Sequence, residues 1–190
     1  MSTKRPFSRR KFLTASAVGI AAPMIIPASA IGRGKRPAPS NRINVACFGF
    51  GTIAHATVPA FLREDRVQVV AVADVNRLSG NYGYRGELQG GRLECMRIVN
   101  EHYASTEGRM DYHGCRAYED FRELLDNEDV DAVNISTPDH WHAVLAIYAA
   151  NKGKHIYGQK PLAVTVSAAL APVDVTSAAA ERTFVWLDIA

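Results

Sequence analysis

The sequence predicts an α/β fold built on one doubly wound parallel sheet. Six short runs with the composition of strands, the third of them weak, are separated mostly by stretches with apolar residues at helical spacing, and a glycine-rich turn directly follows the first run. Strands that alternate with helices form a parallel sheet covered on both faces. With 190 residues, 47% of them hydrophobic, the chain is long enough for one such domain and a tail.

The predicted elements follow one another along residues 43–190, which we interpret as one domain. The strands are "INVACF" (43–48), "VQVVAVAD" (67–74), "GCRAY" (114–118), "VDAVNIS" (130–136), "KHIYG" (154–158) and "RTFVWL" (182–187). The helices are residues 53–63, 92–105, 119–127 and 142–153, and the first of them contains Pro59. The glycine-rich segment 80–91 is predicted to be a surface loop without a chemical role.

Residues 1–30 are typical of a twin-arginine export signal. Arg9 and Arg10 precede a weakly apolar stretch, and small residues lead up to Ala30, after which we expect cleavage. The twin-arginine translocase would then export the folded protein to the periplasm or the cell exterior. The alternative is a chance arginine pair on a disordered tail. Residues 31–42 are rich in Pro, Gly and basic side chains and are interpreted as a linker.

The charge distribution argues against nucleic-acid binding. Five of the 22 basic residues lie in residues 1–30, which contain no acidic residue. The other 17 stand against 19 acidic residues, so the rest of the chain has a formal charge of −2 and no concentrated basic face is expected. The three cysteines form neither a metal-binding nor a disulfide pattern, and we expect Cys47 and Cys115 to be buried free thiols.

The turn after the first strand has the spacing of a dinucleotide-binding motif, because Gly49, Gly51 and Ala54 of "GFGTIA" form the pattern G-x-G-x-x-A. Gly49 permits the tight turn, Gly51 lets the backbone approach a pyrophosphate, and Ala54 lets helix and strand pack closely. Asp74 ends the second strand twenty residues after Ala54, where a carboxylate accepts hydrogen bonds from a ribose diol and repels a 2′-phosphate. NAD is therefore favoured over NADP, although Arg77 leaves NADP open. The simpler alternative is a glycine turn beside an acidic strand end.

The segment "STPDHWH" follows the fourth strand, at the edge of the sheet where doubly wound folds bind ligands. Ser136, Thr137 and Pro138 are expected to pass the nicotinamide ribose, and the next residue, Asp139, is expected to cap the following helix. His140 and the histidine two positions later do not face the same side of a helix, so we predict no metal site there.

Lys160 ends the fifth strand and directly precedes a proline, which keeps it out of a helix. It is expected at the same edge of the sheet as the glycine-rich turn. A cation at this place can polarise a carbonyl oxygen or hydrogen-bond an alcohol that loses a hydride. The alternative is an ordinary surface lysine.

Together, "FGFGTIA", "VVAVADVN", "YEDFRELLDNEDVDAVNISTPDHWHAVLAIYAANKGKHIYGQKPLAVT" and the twin-arginine start resemble the Gfo/Idh/MocA oxidoreductases. The resemblance covers roughly residues 42–165. It implies an enzyme that binds NAD or NADP and acts on sugars, cyclitols or related polyols. The family's Glu-Lys-Pro motif corresponds to Gln159, Lys160 and Pro161, so the resemblance implies that Lys160 is catalytic, whereas the amide of Gln159 lacks the usual charge.

The resemblance also implies a second domain that forms the substrate wall, and we expect this domain to be absent because the chain stops at Ala190. The alternative function is then a dinucleotide-binding fragment or interaction module without turnover, with self-association at the open edge of the sheet. The predicted cofactor-binding residues are Gly49, Phe50, Gly51, Thr52, Ile53, Ala54, Asp74, Ser136, Thr137, Pro138, His140, Gln159 and Lys160.

Overall fold

A parallel sheet forms the centre of the molecule. The computed structural model describes residues 36–108, 111–165, 167 and 185–187. Within these residues the strands are β1 (Ile43–Phe48), β2 (Val67–Ala73), β3 (Ser79–Tyr82), β4 (Leu88–Gly90), β5 (Arg116–Tyr118), β6 (Ala132–Ile135), β7 (His155–Gly158) and β8 (Val185–Leu187). The α-helices are α1 (Ala54–Leu62), α2 (Arg92–Glu107), α3 (Phe121–Asn127) and α4 (Asp139–Asn151). Each predicted strand and helix overlaps one of these elements.

The sheet is doubly wound, as predicted. In the described part of the chain, six parallel strands have the order β5-β2-β1-β6-β7-β8. From β1 the chain first builds outward through β2 and β5, and then returns to build the other half from β6. The strand order therefore reverses between β1 and β6, and a crevice opens beyond the carboxyl ends of such a pair of strands.

Helices cover both faces of the sheet and create two apolar layers. On one face, α3 and α4 pack through residues such as Leu124 and Leu145 against β1, β2 and β6. On the other face, α1 and α2 pack through Val58, Val99 and Tyr103. Strands that are buried on both faces are apolar at successive positions, which is why their sequences do not alternate with polar residues.

The prediction of a surface loop at residues 80–91 was wrong, because β3 and β4 form an antiparallel hairpin there. The segment is poor in β-branched residues, and so its local propensity favours a loop. Tertiary contact overrides that propensity, since Gly91 N donates a 2.9 Å hydrogen bond to Phe50 O in the glycine-rich turn. Gly90 permits the close approach, because a Cβ there would lie 2.4 Å from the same oxygen.

The described part of the predicted linker, residues 36–42, is packed against the sheet. Arg36 forms an ion pair with Glu107 at 2.9 Å and also donates to Val67 O. The predicted export signal, residues 1–30, lies outside the described residues. Within the described residues, no helix has the length and apolar character needed to cross a membrane.

Candidate functional site

A cleft of about 600 Å³ lies at the carboxyl edge of the sheet, where the strand order reverses. Of the residues predicted to bind a cofactor, those that line the cleft are Gly49, Phe50, Gly51, Thr52, Ile53, Asp74, Ser136, Thr137 and Pro138. Ala54, His140, Gln159 and Lys160 are not part of its lining. The lining residues that sequence reasoning missed include Val75, Asn76, Tyr82, Glu119, Asp120, Phe121, Arg122 and Trp141.

The glycine-rich turn, residues 49–54, brings the chain from β1 across the edge of the sheet into α1. Gly49 has a φ of +81°, and a Cβ there would lie 2.9 Å from Ser136 O and from Thr137 Cγ2. Only glycine therefore lets the two neighbouring turns approach so closely. At Gly51 a Cβ would contact a side chain instead, because its nearest neighbour is Tyr82 Cε1 at 3.0 Å.

The carboxylate of Asp74 joins the end of β2 to the glycine-rich turn. Its Oδ2 accepts a 2.7 Å hydrogen bond from Phe50 N, and its Oδ1 accepts a 2.8 Å bond from Asn76 N. Each carboxylate oxygen has about two acceptor positions, so both oxygens retain capacity for further donors. Because Asp74 also lines the cleft, it is placed to accept hydrogen bonds from a bound diol.

Arg92, the first residue of α2, connects two segments that line the cleft. Its guanidinium donates to Asp74 O at 2.9 Å and to Val75 O at 3.0 Å, and it pairs with Glu119 at 2.9 Å. The side chain is only 15% exposed. This bridge ties the end of β2 to the segment after β5, and no local sequence signal identifies it.

The side-chain hydroxyl of Thr137 indicates that the cleft suits a polar ligand. Its Oγ1 is buried and has no hydrogen-bond partner within the part of the chain that the structure describes. Buried polar atoms are nearly always paired, so an orphaned hydroxyl in a cleft lining indicates a missing partner. Together, the hydroxyl of Thr137 and the acceptor oxygens of Asp74 fit the hydroxyl-rich ribose groups of a dinucleotide.

His142 in α4 joins two turns at the edge of the sheet. It is buried, with Nδ1 2.6 Å from Pro161 O and Nε2 2.8 Å from Thr137 O. The expectation that Asp139 caps the helix was wrong, because α4 begins at Asp139 itself and no side chain caps it. Pro138 precedes the helix with a ψ of 147°, and its fixed φ already suits the entry into a first turn.

Lys160 and its neighbour Gln159 follow β7 at the same edge as the cleft. Gln159 is buried and its backbone N donates to Ile135 O at 3.0 Å, whereas Lys160 is exposed. His140 is also exposed. The structure therefore brings the lysine to the correct edge but leaves its side chain on the surface beside the cleft.

The three cysteines are free and buried, as predicted for Cys47 and Cys115. They lie in the apolar layer beneath α1 and α2 and not in the lining of the cleft. Burial raises the pKa of Cys95 and of Cys115, so both are neutral thiols at ordinary pH and not activated nucleophiles. Among the described residues, no group of three or more His, Cys, Asp or Glu side chains could hold a metal ion.

Comparison with known proteins identifies the group to which this fold and cleft belong. Residues 43–186 match the Gfo/Idh/MocA family, described as an oxidoreductase family with an NAD-binding Rossmann fold. The chain belongs to this family. Its parallel sheet is thus the family's NAD-binding Rossmann domain, and the cleft lies where such domains bind their cofactor.

The names of individual Gfo/Idh/MocA relatives refer to different activities. The chain is 30% identical, over 124 residues, to 1-carboxy-3-chloro-3,4-dihydroxycyclohexa-1,5-diene dehydrogenase of Comamonas testosteroni, covering 65% of this chain and 25% of that protein. It is 27% identical over 179 residues to a glycosyl hydrolase family 109 protein of Saccharopolyspora erythraea, covering 87% of this chain and 36% of that one. The chain therefore spans roughly a quarter to a third of the length of these relatives.

Solved structures show the same fold. The scyllo-inositol dehydrogenase of Lactobacillus casei, solved with bound NAD(H) and scyllo-inositol, superposes with a TM-score of 0.59 at 18% identity. The match covers 77% of this chain and 36% of the other chain. At this identity the likeness is evidence for the fold alone.

Proposed function

We propose that the protein is an NAD-dependent oxidoreductase that moves a hydride between nicotinamide and a sugar-like alcohol or its carbonyl form. The observation that carries this proposal is the carboxylate of Asp74, which lines the cleft and accepts a hydrogen bond from Phe50 N in the glycine-rich turn. The names of the sequence relatives support the substrate class, since they refer to a dihydroxylated ring and to a glycoside.

In this proposal the cleft binds the cofactor along its length. Asp74 accepts hydrogen bonds from the adenosine ribose diol, and the backbone at Gly51 and the N-terminus of α1 receive the diphosphate. Thr137 hydrogen-bonds the nicotinamide ribose through its orphaned hydroxyl. When bound, NAD supplies the hydride acceptor, and the protein's own residues position it.

Lys160 is the proposed catalytic residue. It follows β7 at the edge of the sheet that carries the cleft, and its exposed ammonium can reach outward to a substrate. There Lys160 would hydrogen-bond the substrate oxygen whose carbon exchanges the hydride. Its ammonium would give a proton to that oxygen when the carbonyl is reduced, and its neutral amine would take the hydroxyl proton when the alcohol is oxidised. His142 supports this placement, because it binds the carbonyl of the residue directly after the lysine.

Two measurements test the proposal in order. Calorimetry should detect NAD binding to the 190-residue chain, and Gly51→Asp should weaken binding at least about 100-fold because its carboxylate would repel the diphosphate. A panel of polyols and sugars should then show NAD reduction that falls at least about 100-fold in Lys160→Ala. Lys154→Ala is the matched control, since this lysine lies at the opposite, amino end of β7. Unchanged affinity in Gly51→Asp would refute the cofactor site.

A second candidate function is a dinucleotide-binding module without turnover. The observation that favours it is that Lys160 is exposed and is not part of the cleft lining. Positioning a reactant can account for about 7–11 kcal/mol of a reaction barrier, and one lysine on an open edge does not supply that. If NAD binds but wild type and Lys160→Ala reduce it at the same background rate, this second function replaces the first.

We also propose that the protein is exported in folded form by the twin-arginine translocase. The support is the sequence pattern of residues 1–30. Replacing Arg9 and Arg10 with lysine should leave unprocessed protein in the cytoplasm, whereas wild type is cleaved after Ala30. The control Arg5→Lys should be exported normally. Export of the double variant at the wild-type level would contradict the proposed route.

A further inference from the structure

The β3–β4 hairpin lies directly on the glycine-rich turn and is held there from both of its strands. After β3, Gly83 N donates a 2.8 Å hydrogen bond to Thr52 Oγ1. From β4, Gln89 O lies 2.6 Å from Nε2 of His55 in α1. The hairpin is therefore anchored to both the turn and the helix that would receive a diphosphate.

This anchoring brings the ring of Tyr82 to Gly51. A Cβ built on Gly51 would lie 3.0 Å from Tyr82 Cε1 and 3.2 Å from its Cδ1. The second glycine of this motif lacks a side chain so that a pyrophosphate can approach the backbone. The ring of Tyr82 consequently borders the space that the motif leaves open for the diphosphate.

The hydroxyl of Tyr82 has a proton to offer to a ligand. Its oxygen accepts a 3.0 Å hydrogen bond from Asn76 Nδ2, and Asn76 N in turn donates to Asp74 Oδ1. No atom of the described residues accepts the phenol proton, so the hydroxyl keeps its one donor for a ligand. Asn76 and Tyr82 both line the cleft, so a hydrogen-bonded chain runs from Asp74 to an unused donor beside Gly51.

We propose that Tyr82 is a dinucleotide-binding residue of this protein. Its hydroxyl donates a hydrogen bond to a diphosphate oxygen of NAD, and its ring covers the diphosphate over Gly51. The hairpin thereby slows release of the bound cofactor. The inference rests on the dinucleotide site of the proposed function and adds to it a residue from a segment outside the G-x-G-x-x-A motif.

The test measures binding of NADH to the 190-residue chain by calorimetry, and its release by stopped-flow fluorescence. Tyr82→Phe removes only the hydroxyl and should raise the Kd about tenfold, the effect of losing one hydrogen bond to a charged group. Tyr82→Ala should in addition release NADH faster than Tyr82→Phe. Tyr84→Phe is the matched control, because Tyr84 lies on the same hairpin, is 96% exposed and should leave the Kd unchanged.

Three outcomes overturn the proposal. If Tyr82→Phe binds NADH as tightly as wild type, the hydroxyl makes no contact with the cofactor. If Tyr82→Ala binds more tightly than wild type, the ring obstructs the diphosphate instead of covering it. If wild type itself binds no NADH, the dinucleotide site fails and the role of Tyr82 with it. Urea unfolding midpoints equal to that of wild type establish that the variants are folded.

Discussion

The two glycines of the glycine-rich turn should fail in different ways when each is replaced by alanine. Gly49 has a φ of +81°, and its Cβ would lie 2.9 Å from the backbone oxygen of Ser136. Gly51 has no positive φ, and its Cβ would meet only the edge of the Tyr82 ring. The first substitution therefore perturbs the fold, and the second perturbs the space reserved for the ligand.

The magnitudes follow from these contacts. Holding alanine at a positive φ costs about 1–3 kcal/mol, and the backbone oxygen beside it cannot move away easily, so we expect Gly49→Ala to lose about 2–3 kcal/mol of unfolding free energy. In Gly51→Ala a small rotation of the Tyr82 ring relieves the contact. Alanine also restricts the unfolded chain, which contributes about 0.4–1 kcal/mol, so the net change in unfolding free energy should stay within about 1 kcal/mol.

Although Gly51→Ala should change the stability little, it should weaken NAD binding strongly. Its methyl group keeps the diphosphate from the backbone N–H groups, and losing one hydrogen bond to a charged group costs about 1.5–3 kcal/mol, or roughly 10- to 100-fold in Kd. Urea unfolding and NAD calorimetry on the same samples measure both quantities. A Gly51→Ala protein that binds NAD like wild type, or a Gly49→Ala protein as stable as wild type, would refute the reasoning.

Three further predictions concern charge, burial and pH. Asp74→Asn keeps an acceptor for Phe50 N but removes the negative charge, so the ratio of the Kd for NADP to that for NAD should fall about tenfold when both are titrated. His142→Ala leaves two backbone carbonyls without the buried imidazole and should lower the unfolding free energy by about 2 kcal/mol or more, as judged from urea unfolding. Arg97, 2.6 Å from Glu94, lowers the pKa of that carboxyl mainly through its hydrogen bond. The pair stabilises the fold above the unfolded-state pKa of Glu94, so Arg97→Gln should cost about 0.3–1 kcal/mol at pH 7, and this difference should shrink as the pH falls through the lowered pKa. An equal difference at about pH 3 and at pH 7 would contradict this assignment.

The amino-acid sequence by itself determined the order of the six parallel strands and the four helices, and the position of the glycine-rich turn. The apolar run of β1 and the helical spacing of α2 are local patterns, and each needs only its own residues to be recognised. Gly49, Gly51 and Asp74 could be located for a similar reason, since a fixed spacing from the end of a strand places them at the edge of the sheet. The Lys-Pro pair after β7 likewise indicated the correct edge for Lys160.

Only the tertiary structure decided what surrounds that turn. The hairpin forms from a segment with weak strand propensity because its contacts with Thr52 and His55 join positions about thirty residues apart. Arg92 bridges two loops, and His142 bridges two turns, through partners that no local pattern specifies. Such contacts depend on which strands become neighbours in the sheet. The residues next to Arg92 and His142 in the sequence do not indicate which distant groups these side chains contact. The contacts could therefore be identified only from the folded structure.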